Sequence, residues 1–179
     1  MISVDFFKQG MRRLAAGVCV VTTLDEGRRT GLVATSVTSF SADPPSLLVC
    51  VNRSSASHDA VSRSGIFCVN ILSHSDADFA LLFSSAATRE EAFASRSWRE
   101  LETGAPVLAD AVASFDCRII KQEPFRSHTI FVGEIMDTLL PNRDIEPLVY
   151  MGGSYMTTSR RQPRQRELAM VDRIGFSDL

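Results

Sequence analysis

Residues 31–57 have the sequence GLVATSVTSFSADPPSLLVCVNRSSAS, in which two apolar runs flank a proline turn and precede a cluster of hydroxyl side chains. The first run, Gly31 to Phe40, is rich in β-branched residues, which suit a pleated strand. Asp43-Pro44-Pro45 ends this strand, because proline fixes φ and removes a backbone donor. Ser46 to Val51 is then predicted as a second strand, so the stretch indicates a β-rich fold.

The polar segment after the second strand predicts an anion site. Asn52 to Ser57 is typical of the start of a short helix, here running to Ser64 and closed by Gly65. A helix N-terminus presents unpaired N–H groups and the positive end of a dipole, and Arg53 adds a charge. A second row of polar groups lies on the preceding strand: Thr35, Ser36, Thr38, Ser39 and Ser41. Serines are also common in ordinary turns and caps, so the pattern alone leaves both interpretations open.

Composition limits the class of protein. The chain has 179 residues and a formal net charge of -2, which predicts one domain and gives no general attraction for nucleic acid. Four cysteines lie far apart inside apolar runs, as in reduced cytoplasmic proteins: Cys19, Cys50, Cys68 and Cys117. No apolar run approaches the roughly 18 residues of a membrane span, and no secretory signal is visible. We therefore expect a cytoplasmic protein that binds neither membrane nor nucleic acid.

The remaining pattern predicts short strands with a few helices between them. The predicted helices are Val4 to Leu14, ended by Gly17, and one capped by Ser75 that turns Phe79, Leu82 and Phe83 inward. The predicted strands are Val18 to Leu24, Ile66 to Leu72, Val112 to Lys121, His128 to Leu140 and Pro147 to Met151. Residues 84–103 are predicted as a flexible excursion anchored by Phe93 and Trp98. Together these elements favour a mainly β fold built on a closed, mostly antiparallel sheet.

Five segments in order resemble the flavin reductase family, whose members have the FMN-binding split β-barrel fold. They are MRRLAAGVCVVTT, the 31–57 stretch, IFCVNIL, TGAPVLADAVASFDCRI and HTIFVGEI, and the similarity runs from about Phe6 to about Tyr155. The family consists of small NAD(P)H-dependent reductases that supply reduced flavin to a separate monooxygenase. The resemblance implies an antiparallel split-barrel domain over residues 1–156. The charged tail, 157–179, then either packs on a partner subunit or is disordered.

The resemblance also implies which residues contact the flavin, FMN or FAD. Positions along the ring and ribityl chain are Ala34, Thr35, Ser36 and Val37, and those at the phosphate are Asn52, Arg53, Ser54 and Ser57. Neighbouring positions that complete the predicted set are Ser39, Cys50, His58 and Phe83. Val33 replaces a threonine common in the family, which removes one hydrogen bond. Phe83 is equally compatible with a place in the core.

Three further residues match the family's nicotinamide site, which takes NADH or NADPH: His128, Gly153 and Tyr155. Ser154 stands where family members have an arginine. No catalytic residue is predicted, because the cofactors carry out hydride transfer and the protein holds and orients them. The absence of a GxGxxG sequence predicts a dinucleotide site of a type other than the Rossmann fold.

The predicted function is therefore an NAD(P)H-dependent flavin reductase, acting as a homodimer and supplying an oxygenase component. Two alternatives use the same flavin site. One is an FMN-binding flavoprotein that carries electrons between proteins, and the other is a reductase of a bulky substrate such as a corrinoid. The sequence leaves open the choices between FMN and FAD and between NADH and NADPH.

Overall fold

The computed structural model describes residues 2–141 and 144–158, and this part of the chain forms short helices and antiparallel strands. The helices are α1 (Val4–Met11), α2 (His58–Ser64), α3 (Ala77–Phe83) and α4 (Arg89–Ser95). The strands are β1 (Ala16–Gly17), β2 (Cys19–Asp25), β3 (Arg28–Ala34), β4 (Val37–Ala42), β5 (Pro45–Asn52), β6 (Ile66–Ile71), β7 (Trp98–Arg99), β8 (Val107–Leu108), β9 (Ala113–Phe125), β10 (His128–Leu139), β11 (Val149–Met151) and β12 (Ser154–Met156). The prediction of a mainly antiparallel β fold is confirmed.

The main sheet has seven strands in the order β3-β2-β6-β9-β10-β5-β4. Its two edge strands, β3 and β4, follow each other in the chain but do not pair with each other. The chain passes from one edge of the sheet to the other through Thr35 and Ser36. We call this gap between the edges the split. A smaller sheet has the order β1-β11-β12, and β7 pairs with β8.

The prediction of a single strand from Gly31 to Phe40 is wrong, because the chain breaks at Thr35 and Ser36. β3 forms a hairpin with β2, whereas β4 pairs with β5. The β2–β3 turn places Glu26 and Gly27 at φ of 50° and 75°. Positive φ at both central residues is typical of a tight hairpin turn, so β2 and β3 are joined by a short connection.

Apolar residues on β2 face two different cores, because successive side chains in a strand point to opposite faces. Val20 belongs to a cluster that includes Phe79, Phe83 and Phe93 of α3 and α4. Val21 belongs instead to the cluster enclosed by the main sheet. The helices therefore cover one face of the β2 region, and the sheet curls around the other.

Gly133 permits a close approach inside the enclosed core. A Cβ atom at this position would lie 2.5 Å from Phe67 Cζ and 2.8 Å from Cys117 Cβ. Phe67 and Cys117 have no exposed surface. The register of β10 against β9 also shifts between Val132 and Gly133. Glycine thus lets β10 bend over a packed aromatic ring.

Several predicted boundaries need correction. α1 ends at Met11, well before Gly17, and Gly17 itself lies in β1. The N-cap of α3 is Asp76 and not Ser75. The excursion predicted over residues 84–103 contains α4 and β7, whose formation is favoured by burial of Phe93 against the α3 aromatics. The 152–153 turn joins β11 to β12, and β12 was not predicted.

The charged tail is mostly beyond what the structure describes. Thr157 and Thr158 are the described residues of that segment and belong to no helix or strand, and residues 159–179 lie outside the described part. Both predictions for the tail therefore stay predictions. Within residues 2–141 and 144–158, no helix combines the length and apolar character needed to cross a bilayer.

Candidate functional site

A cavity of about 640 Å³ opens beside the split of the main sheet. Its wall comes from five separate parts of the chain. These are residues 32–36, residues 50, 52 and 54–56, residues 83, 84, 86 and 89, residue 128, and residues 150 and 155. Nine of the fifteen sequence-predicted site residues lie in this wall: Ala34, Thr35, Ser36, Cys50, Asn52, Ser54, Phe83, His128 and Tyr155.

Hydrogen bonds fix the wall at the split. The Cys50 backbone N–H donates to Ser36 O at 3.2 Å, and Ser36 Oγ donates to Cys50 O at 2.8 Å. These bonds hold the crossing segment against β5 although it belongs to neither edge strand. Thr35 is exposed, so its hydroxyl is available to a ligand in the cavity.

Two predicted residues of β4 lie outside the cavity wall. Val37 is half-buried and packs against the enclosed core, and Ser39 is exposed further along the strand. The strand break at Thr35 and Ser36 explains this, because β4 leaves the split immediately after the crossing. The predicted flavin contacts of Val37 and Ser39 stay predictions.

The loop before α2 is organised by Asn52. Its Oδ1 atom accepts hydrogen bonds from the backbone N–H and the hydroxyl of Ser54, both at 2.9 Å. The N–H of Ser55 donates to Asn52 O at 2.9 Å. These contacts curl the segment into a tight turn at the cavity, and α2 begins only at His58. The segment predicted as the start of the helix is therefore a polar loop, and the anion site there stays a prediction.

Arg53 points away from this cavity. Its N–H donates to Ser127 O at 2.9 Å, and its Nη1 donates to Arg126 O at 3.3 Å. Arg53 lines a surface groove that adjoins the cavity, since Asn52 and Ser54 line both spaces. The Arg53 side chain thus lies beside the loop and not in the cavity wall. Its predicted phosphate contact stays a prediction.

Ser57 and His58 are buried and bonded to other parts of the protein. Ser57 Oγ donates to Gly31 O at 2.7 Å. His58 Nε2 lies 2.8 Å from Thr129 Oγ1, and Nδ1 lies 2.8 Å from Asp59 Oδ1. Both residues fasten the loop to the sheet, and neither lies in the cavity wall. Their predicted flavin contacts stay predictions.

Phe83 is both a core residue and part of the cavity wall. It is 1% exposed and makes an edge-on contact with Phe93, with ring centroids 5.2 Å apart. Trp98 contacts both rings, with its indole N–H donating to Phe93 O at 3.0 Å. The sequence left open whether Phe83 lies in the core or beside the flavin. In the structure it packs in the core and also lines the cavity.

Arg89 is a cavity residue that the sequence analysis missed. It begins α4, inside a segment that was predicted as an irregular excursion, so nothing in the sequence pattern placed it near the other site residues. Among the described residues, Arg89 Nε is the buried side-chain nitrogen or oxygen for which no hydrogen-bond partner is found. Burial lowers the pKa of Arg89. The cavity therefore contains a cationic donor with unused hydrogen-bonding capacity.

The predicted nicotinamide residues come from different parts of the sheets. His128 pairs with Asn52 across β10 and β5, and its Nδ1 lies 2.9 Å from Ser127 Oγ. Tyr155 lies in the small sheet, where its ring contacts Tyr150 at 5.7 Å. The pKa of Tyr155 is raised mainly by burial, with a smaller contribution from the nearby Tyr150. Gly153 lies in the exposed β11–β12 turn and not in the cavity wall.

Tyr150 is another cavity residue that was not among the predicted site residues. Its position in an apolar run gave no signal, because its strand was predicted but its sheet partner β12 was not.

No group of three or more His, Cys, Asp or Glu side chains able to hold a metal ion is found in residues 2–141 and 144–158.

The fold and the cavity at its split agree with one class of protein. The family model of the flavin reductase like domain matches residues 11–159, and the chain belongs to this family. Among its relatives is FMN reductase (NADH) RutF 2 of Methylorubrum extorquens (strain PA1), which is 38% identical over 159 residues, or 89% of this chain and 92% of that protein.

Two solved structures extend the similarity to the backbone. A homolog of nitrilotriacetate monooxygenase component B from Mycobacterium thermoresistibile has a TM-score of 0.82 at 29% identity, with 90% of each chain covered. BorF, the flavin reductase component of a bacterial two-component tryptophan halogenase, has a TM-score of 0.79 at 30% identity, with 89% of this chain and 100% of that chain covered. The family resemblance inferred from the sequence is thus confirmed.

Proposed function

We propose that the chain is an NADH-dependent flavin reductase that binds FMN in the cavity at the split. The observation that carries the proposal is the polar cavity formed where β3 crosses to β4, in a chain whose family model spans residues 11–159. The 38% identical Methylorubrum relative is named an FMN reductase (NADH). This supports FMN and NADH as the substrates here.

The cavity fits a phosphorylated, ring-containing ligand. Its volume of about 640 Å³ falls within the range of roughly 300 to 1,000 Å³ of small-molecule sites. An unpaired buried donor such as Arg89 Nε costs about 1–3 kcal/mol, which a ligand oxygen accepting its hydrogen bond would recover. The Thr35 hydroxyl and the Asn52 side-chain amide lie along the same wall.

We assign the flavin contacts to the two sides of this wall. Ala34, Thr35 and Ser36 would hold the ring and ribityl chain, and the Asn52 loop with Arg89 would hold the phosphate. Phe83 would limit how deep the ring enters, because it is locked by its aromatic neighbours. The remaining predicted flavin residues would support these groups from outside the cavity wall. They are Val37, Ser39, Arg53, Ser57 and His58.

Bound flavin supplies the acceptor for a hydride from NADH, with one proton taken from solvent to complete the reduced flavin. The protein's part is to hold the two rings in contact and to limit access of water. His128 and Tyr155 approach the cavity from β10 and β12, and we propose that they position the nicotinamide, with Gly153 in the adjoining turn. No described residue is required to form a covalent bond.

The reduced flavin is proposed to pass to a separate oxygenase component in the cytoplasm. This is supported by BorF, which is the reductase component of a two-component halogenase.

We further propose that residues 1–156 form one domain and that two copies of the chain associate. The support for association is the apolar surface of α1, on which no residue is buried.

NADH oxidation with excess free FMN tests the proposal. Many turnovers per protein are expected, since reduced flavin leaves and fresh FMN enters. A single stoichiometric bleaching of protein-bound flavin would instead indicate an electron carrier. A chain that shows no affinity for FMN in a fluorescence titration would contradict both.

A further inference from the structure

The turn between β9 and β10 sets where His128 enters the cavity wall. Phe125 and His128 pair across the two strands, so the connection consists of Arg126 and Ser127 alone. Arg126 has a φ of 50°, and a positive φ at the first central residue is typical of such two-residue turns. A connection this short leaves β10 little freedom at its first residue. The position of His128 therefore depends on how the turn is held.

Arg53 holds the turn from the neighbouring loop. Its backbone N–H donates to Ser127 O at 2.9 Å, and its Nη1 donates to Arg126 O at 3.3 Å. Both carbonyl groups of the turn thus accept hydrogen bonds from one residue. That residue lies between Asn52 and Ser54, which line the cavity, so the turn is fixed to the cavity wall.

The Ser127 side chain restrains the His128 ring. Ser127 Oγ lies 2.9 Å from His128 Nδ1. His128 is exposed, and an exposed side chain changes rotamer rapidly unless a contact restrains it. Because Nδ1 is engaged by Ser127, Nε2 is the ring nitrogen available to a ligand in the cavity that His128 lines. Ser127 itself lines the adjoining groove and not the cavity wall.

We propose that Ser127 is a positioning residue for NADH, whose hydroxyl holds the His128 ring so that Nε2 contacts the carboxamide group of the nicotinamide. The proposal rests on the proposed function, in which His128 positions the nicotinamide. A ring that is oriented before NADH arrives does not have to be ordered on binding, which corresponds to an affinity gain of about two- to tenfold. Ser127 acts through His128 and takes no part in the hydride transfer.

Substitution of Ser127 tests the proposal through the kinetics of NADH oxidation with saturating FMN. Ser127→Ala should raise the Michaelis constant for NADH by about two- to tenfold and leave kcat nearly unchanged, because ground-state and transition-state binding are weakened alike. The dissociation constant of FMN, measured by fluorescence titration, should not change, since Ser127 lies outside the cavity wall.

Two further variants show whether the hydroxyl is the group that matters. Ser127→Thr keeps the hydroxyl and should restore the Michaelis constant, and Ser127 has no positive φ that would exclude a β-branched residue. Ser97→Ala is the matched control, because Ser97 is exposed and lines neither the cavity nor the adjoining groove. It should behave as the unaltered chain.

A double-mutant cycle tests whether Ser127 acts through His128. A residue with this role has no effect once the imidazole is gone. Ser127→Ala should therefore leave the Michaelis constant for NADH unchanged when it is added to His128→Ala.

Nuclear magnetic resonance gives a readout that needs neither activity nor cofactor. The chain has three histidines, and loss of signals in His128→Ala identifies the ring nitrogens of His128 in long-range ¹H–¹⁵N spectra. Ser127→Ala should shift these signals, because the Nδ1 hydrogen bond is removed. The signals of His58 and His74 should keep their positions, which would also show that the variant is folded.

The proposal would be overturned if Ser127→Ala raised the Michaelis constant equally with and without His128, since the hydroxyl would then act independently of the ring. An unchanged Michaelis constant in Ser127→Ala, no recovery in Ser127→Thr, or unshifted His128 nitrogens would overturn it as well. Failure of the proposed function would appear differently. His128→Ala would then leave the Michaelis constant for NADH unaltered, or the unaltered chain would not bind FMN, and the proposal would fall with it.

Discussion

At the scale of single residues, the four cysteines differ in their access to the cavity. Cys50 lines it, while burial raises the pKa of Cys19 to about 12 and that of Cys117 to about 12. Burial also raises the pKa of Cys68, with a smaller contribution from Asp116. Because the thiolate is the reactive form, buried thiols with raised pKa values resist modification at neutral pH.

We expect native protein to react with a thiol reagent at Cys50 first, and saturating FMN to slow that reaction at least tenfold. Mass spectrometry of the labelled peptides would measure both effects. Unfolded protein, in which the four thiols become equivalent, is the control. Rapid labelling of Cys50 that FMN does not slow would place the flavin elsewhere.

The sequence anticipated part of the cavity wall, namely the polar residues that stand next to predicted strands. Thr35, Ser36, Asn52 and Ser54 lie in the cavity wall; the pattern of polar groups beside apolar strands drew attention to them, and the family resemblance assigned them to the flavin. Arg89 was missed, since one arginine in a charged segment carries no signal until α4 places it at the cavity. Its role depends on tertiary contacts, which the local sequence does not encode.

At the scale of elements, α2 is fastened to the sheet through its first residue. His58 bonds to Thr129 of β10, and its ring packs against Phe131 at 5.7 Å. His58→Ala should lower the free energy of unfolding by about 1–3 kcal/mol, because Thr129 loses a buried partner. Urea denaturation followed by circular dichroism would measure the change.

The matched control is His74→Ala, since His74 is exposed and its backbone hydrogen bond to Glu146 is retained. Its effect should stay within about 0.5 kcal/mol. Unchanged stability of His58→Ala combined with a large loss of FMN affinity would show that His58 acts on the ligand directly, as the family resemblance implies.

Element prediction failed mainly where pairing partners decide the outcome. The run from Gly31 to Phe40 has uniform strand character, so its break at Thr35 and Ser36 could not be seen without knowing that β3 and β4 pair with different strands. β9 likewise runs on to Phe125 because β10 continues to pair with it. The proline and glycine turns, by contrast, are determined locally and were predicted.

At the scale of the whole molecule, α1 presents an apolar surface to solvent. Phe7 is 55% exposed and Met11 is 49% exposed. Met11 and Leu14 also border an apolar depression that includes Thr35 and Ser36, so a second copy seated on α1 would lie beside the cavity. If two copies associate through α1 as proposed, Phe7→Ser with Met11→Ser should dissociate them and weaken FMN binding several-fold, because each side chain loses about 1.5–3 kcal/mol of burial.

Light scattering coupled to size-exclusion chromatography would report the mass of each variant. Gln9→Ser, on the same helix, is the control and should leave the mass the same as that of the unaltered chain. An unaltered chain that elutes as a monomer at micromolar concentration would remove the basis for association.

The origin of the cavity wall in five distant stretches has a thermodynamic consequence. No single hairpin or helix can form the pocket alone. Ligand binding therefore stabilises the sheet against cooperative unfolding, and does not only reduce fraying of one segment. Ligand at a hundred times its dissociation constant adds about 2.7 kcal/mol to such a transition. The supply of flavin would thereby influence how long each molecule escapes proteolysis.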